Sequence, residues 1–125
     1  MKAKVIEKQL PMDLYDIIRF QINTYCFLNS VRISPAQLDT LAYLGMWGDM
    51  NISDFCEQIV IKDIFGNPQT VRNFVIKSVK DGLIERKGMG NKVICLSDDF
   101  ALLNTGTILI NMKVYHVDQS KESDS

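Results

Sequence analysis

The chain has 125 residues, 46% of them hydrophobic and 23% charged, with a formal net charge of −1. Those proportions describe one ordinary folded domain without room for a second of full size, and no apolar run reaches the roughly 18–20 residues of a membrane-spanning helix. Glu7 interrupts the stretch where a secretion signal would be apolar, so a cytoplasmic location is expected.

Residues Met1–Lys8 are weakly patterned, at best an edge strand. From Pro11 to Asn29 an amphipathic pattern predicts a first helix, residues 11–29. Its Leu14, Ile17, Ile18, Tyr25 and Leu28 recur at helical spacing, and Tyr15, Ile22 and Cys26 widen the apolar side. A stripe that wide suggests contact with the domain on one side and a second subunit on the other. Ser34-Pro35-Ala36-Gln37 is a capping box with proline at the first helical position. The helix it opens turns Leu38, Leu41 and Ala42 inward and is expected to stop at Gly45. A third helix starts at Asn51 or Ser53, both good caps, and runs to about Ile61.

Asn67 and Pro68 then cap a fourth helix, 68–81, ended by Gly82. Val71, Phe74, Val75, Ser78 and Val79 form its inward face. The opposite face carries Gln69, Arg72, Asn73, Lys77 and Lys80, with Thr70 at its margin and no acid before Asp81. Ile76 falls near this polar side, either packed under a neighbouring element or free to touch a thymine methyl. Residues 83–96 read as a β-hairpin whose turn, Gly88-Met89-Gly90-Asn91, tolerates positive φ. Ser97 can cap a short helical turn through Leu103, residues 107–117 are a strand candidate, and 118–125 form a polar tail expected to be disordered.

The near-neutral total conceals an uneven distribution. From Asn67 to Cys95 six basic side chains stand against two acidic ones, whereas the segments on either side are net acidic. A helix bearing Arg, Asn and Gln outward can present paired donors and acceptors to base edges in the major groove, while lysines hold phosphates. The competing explanation is a solvated helix face beside a polar turn, in which Arg86 pairs with Glu85 or Asp81.

The three cysteines, Cys26, Cys56 and Cys95, are an odd number with no close pair, and all sit among apolar neighbours. They read as reduced, packing thiols rather than a disulfide frame or a redox switch. With His116 the single histidine and no Cys-x-x-Cys, no metal is expected, and neither a cofactor loop nor a catalytic constellation is marked.

The order of helices, cationic helix and hairpin is an α+β winged helix-turn-helix pattern, a single domain over 1–117 with its core at 34–97. Three segments carry a family resemblance: Ser34-Pro35-Ala36-Gln37-Leu38-Asp39-Thr40-Leu41, Asn67-Pro68-Gln69-Thr70-Val71-Arg72-Asn73-Phe74-Val75, and Asp81-Gly82-Leu83-Ile84-Glu85-Arg86. Together they resemble the winged-helix domain of MarR-like transcriptional regulators over about residues 34–97. The resemblance implies a sequence-specific binder of double-stranded DNA, usually a homodimer. Base contacts would fall on Gln69, Thr70, Arg72 and Asn73, and backbone contacts on Lys77, Lys87 and Lys92; the residues' own chemistry adds Lys80 and Asn91. The family's long C-terminal dimerisation helix has no counterpart here, which leaves helix 11–29 and strand 107–117 as candidate dimer surfaces. The other functional class is a non-enzymatic interaction or assembly module, a phage-type accessory or structural protein on a winged-helix core. In that class strand 107–117 would offer its edge to a protein partner.

Overall fold

The computed structural model describes residues Met12–Leu103. The expectations for Met1–Lys8, for strand 107–117 with its His116, and for the tail 118–125 lie outside the described residues. Seven elements follow in chain order: α1 (Leu14–Leu28), α2 (Pro35–Trp47), β1 (Met50–Asn51), α3 (Ile52–Ile61), α4 (Pro68–Lys80), β2 (Ile84–Lys87) and β3 (Val93–Leu96). Single 3₁₀ turns occupy Met89–Asn91 and Asp98–Phe100. The strands form one antiparallel sheet in the order β1-β3-β2, and the whole is an α+β winged-helix-like topology.

Each helix starts where its side chains can satisfy the first free amides. Asp13 accepts from the Asp16 N–H ahead of α1. Both halves of the Ser34–Gln37 capping box are formed ahead of α2. Asn51 accepts from Ser53 and Asp54, and Asn67 accepts from Thr70. The core collects Ile18, Ile22 and Cys26 of α1, Leu41 and Leu44 of α2, Phe55 and Ile59 of α3, Val71 and Val75 of α4, and Ile84 and Ile94 of the sheet.

Three expectations are corrected. Leu14 and Leu28 of α1 are exposed rather than inward. The buried row is Ile18–Ile22–Cys26, and Leu28, six residues beyond Ile22, comes about 120° away around the helix. Gly45 does not end α2, which continues to Trp47 and stops at Gly48 with φ +80°. Gly45 instead permits close approach: a Cβ there would lie 2.8 Å from Leu96 Cδ1 and 2.9 Å from Ile18 Cγ2. The turn after Ser97 ends at Phe100 rather than Leu103, because Ala101 adopts the left-handed conformation.

α1 is locked to α2 by polar and aromatic contacts. The Tyr15 hydroxyl and the Arg19 Nε–H both donate to Asp39 Oδ1 at 2.7 Å. Tyr15, Tyr43 and Trp47 form a run of tilted rings with centroids 4.7 and 4.9 Å apart. Midway along α1, Gln21 exchanges two hydrogen bonds of 2.7 Å with the backbone of Leu103.

Candidate nucleic-acid interface

The amphipathic period of α4 fixes which side chains can meet a ligand. Val71, Phe74, Val75 and Ser78 are buried against the domain, so the opposite side must look outward. Gln69, Thr70, Asn73, Lys77 and Lys80 are all exposed, and Arg72 is half-buried at the margin beside α3. Ile76, open to two assignments from sequence, is 48% exposed and is not among the described residues that pack on the core. It shares the middle of the open side with Gln69, Asn73 and Lys80.

Two bonds organise this face. Gln69 Nε2–H donates to Asn73 Oδ1 at 2.8 Å, one helical turn on. The bond leaves the pair with one carbonyl oxygen and free N–H groups facing solvent. Arg72 donates through its Nη2–H to Ser53 Oγ at 2.8 Å, tying the start of α4 to the first turn of α3. One of the five guanidinium N–H donors is thereby used, and the side chain is oriented for the rest. Thr70 is occupied locally, its hydroxyl donating to Asn67 Oδ1 at 3.1 Å.

The wing is held by the same turn of α3. The Ile52 N–H donates to the Lys92 carbonyl at 2.9 Å, and β1 pairs with β3 through Met50–Ile94 and Asn51–Val93. At the tip Gly88, Gly90 and Asn91 all have positive φ, at +79°, +70° and +55°, a combination that glycine and asparagine tolerate at least cost. Asn91 and Lys92 are exposed there, and Met89 is 96% exposed, the most of any large apolar side chain among the described residues. Lys87, at the end of β2, forms an ion pair of 2.7 Å with Asp49 in the loop after α2. That contact holds the ammonium above its ordinary pKa.

The structure therefore brings Gln69 and Asn73 together, joins Arg72 to α3, and leaves Lys77, Lys80, Asn91 and Lys92 open to solvent. It separates Lys87 from this set by giving it a carboxylate. Sequence reading missed Ser53 and Asp49 as partners. Ser53 was visible only as a candidate cap, and Asp49 carried no signal at all.

Burial raises the pKa of the Cys26, Cys56 and Cys95 thiols, with Arg72 partly opposing the shift at Cys56 and Lys87 at Cys95. Raised thiols are poor nucleophiles at neutral pH. Among the described residues no group of three His, Cys, Asp or Glu side chains could hold a metal, and no helix is long and apolar enough to cross a membrane. Comparison with protein families, curated proteins and solved structures found no match.

Proposed function

We propose that the protein binds duplex DNA as a winged-helix transcriptional regulator of the MarR-like kind, and that it acts by binding rather than by catalysis. α4 enters the major groove, where Gln69, Arg72 and Asn73 read base edges with Thr70 beside them. Lys77 and Lys80 take phosphates along the helix, and Lys87, Asn91 and Lys92 take them from the wing, with Lys87 exchanging Asp49 for a phosphate oxygen. The supporting observation is the open side of α4: amide and cationic side chains lie exposed along it, without an acid from Pro68 to Lys80.

Titration of a labelled duplex at increasing salt tests the reading. Four lysines on phosphates predict a log–log slope of about −3 to −4. Negligible affinity even at low salt would refute it.

A second reading, a protein-docking module, is favoured by the carboxyl end of α1, where Phe27 is 82% and Leu28 73% exposed. Such a patch suits a protein surface, including a second copy of the chain. Sedimentation of the protein with and without Phe27→Ser decides it: self-association lost in the variant supports this reading, and a monomer throughout opposes a homodimer on α1.

A further inference from the structure

Resting on the DNA-binding reading, we infer that the open side of α4 is built to recognise an A·T base pair, with Ile76 contacting the thymine 5-methyl group. A helix laid in the major groove meets base edges along its central outward meridian. Here that meridian holds Gln69, Asn73, Ile76 and Lys80, an arrangement of two carboxamides, a branched hydrocarbon and one charge.

The carboxamide pair supplies half of the recognition. Adenine offers an N6–H donor and the N7 acceptor, and a carboxamide answers both at once. The Gln69–Asn73 bond satisfies one N–H and one carbonyl between the two side chains and leaves one carbonyl oxygen and free N–H groups outward. The bond also restrains two flexible side chains in advance, which lowers the entropy lost on binding.

Ile76 supplies the other half. It stands three residues beyond Asn73, about 4.5 Å along the helix axis, on the order of one base-pair step. An isoleucine at the edge of a helix face would need no explanation, since scattered apolar side chains are normal. This one sits between amide and lysine at the centre, 48% exposed, where burial within the fold does not account for it. Among the four bases only thymine places a methyl in the major groove, and it lies on the same base pair as the adenine edge or on a neighbouring one.

The experiment first selects bound sequences from a random duplex pool with the full chain. Single thymines in the selected duplex are then replaced by deoxyuridine, which removes the methyl and keeps every hydrogen bond. Wild-type protein should lose about four-fold in affinity at one or two thymines, the value of burying one methyl. Ile76→Ala should bind thymine and deoxyuridine duplexes alike, and Ile76→Val should retain most of the preference. Equal wild-type affinity for both duplexes, or selection of G·C pairs alone, overturns the inference and leaves DNA binding standing. Failure to retain any duplex overturns both. Because Ile76 is exposed, its variants should melt as wild type does, which removes misfolding as an explanation of lost binding.

Discussion

Ser78 is 1% exposed on the inward side of α4, and its Oγ has no hydrogen-bond partner among the described residues. Its backbone carbonyl is satisfied by the Leu83 N–H at 2.8 Å, so only the hydroxyl is at issue. Ser78→Ala removes that hydroxyl and keeps Cβ. An unpaired buried hydroxyl costs about 1–3 kcal/mol. Alanine adds up to about 0.5 kcal/mol of helix propensity. Against these gains stands the loss of one oxygen's dispersion contacts, about 0.5–1 kcal/mol. The net is a stabilisation of about 1–2 kcal/mol, or a rise in Tm of about 5–10 °C for a domain of this size. Urea unfolding should show a higher midpoint at an unchanged m-value, with a thermal melt in parallel. Ser78 faces away from Gln69 and Asn73, so duplex affinity should not change. A lower midpoint would refute the reasoning, because it would mean that the hydroxyl is satisfied or that its packing outweighs its desolvation.

Gly45→Ala should destabilise by about 1 kcal/mol in urea unfolding, since overpacking of about 1–3 kcal/mol against Ile18 and Leu96 outweighs the roughly 1 kcal/mol of helix propensity gained; an unchanged midpoint would show that α1 gives way freely. Asp39→Ala removes the acceptor shared by Tyr15 and Arg19. A cost of about 1–2 kcal/mol is expected after allowing for partial exposure of the pair, read as a lower urea midpoint. Alkaline pH should weaken the fold. Burial raises Cys26 and Cys56, and burial with the Asp39 bond raises Tyr15, so the unfolded chain releases these protons first. Stability is therefore full below the ordinary thiol value of 9.0 and falls as pH rises through it and then through the ordinary tyrosine value of 10.0. A flat urea midpoint from pH 8 to 11 would contradict this. Arg72→Ala should cost about 1–3 kcal/mol at a selected duplex, and Ser53→Ala less than about 1 kcal/mol by loosening the same guanidinium; equal losses for Arg72→Ala on random duplex would remove its reading role.

What the sequence disclosed depends on how far apart the interacting residues are. The capping box at Ser34–Gln37, the caps Asn51 and Asn67, and the inward face of α4 are written within a few residues and form as expected. β1 is only Met50–Asn51, too short for any pattern to mark, and exists because β3 pairs with it, Met50 with Ile94 and Asn51 with Val93, from far along the chain. Gly45 reads as a stop signal locally, yet its space is set by Ile18 and Leu96. At the candidate site the outward residues were legible from the 3.6-residue period. Their partners were not, since Ser53 and Asp49 meet Arg72 and Lys87 only through the packing of separate elements.

The first turn of α3 is where those separate elements converge. Asn51 caps it, the Ile52 N–H holds the base of the wing through the Lys92 carbonyl, and Ser53 holds the start of α4 through Arg72. Three consecutive residues thus join the cap of one helix, the wing and the outward helix. A groove-reading helix and a backbone-holding wing can act on one duplex only if their relative placement survives binding, because a misplacement of about 1 Å already breaks hydrogen-bond geometry. β1 adds to that constraint through its pairing with β3. In the proposed binding mode this short strand, invisible to periodicity and minor in the core, would bear directly on whether Gln69, Asn73 and Ile76 meet the groove whose phosphates the wing would hold.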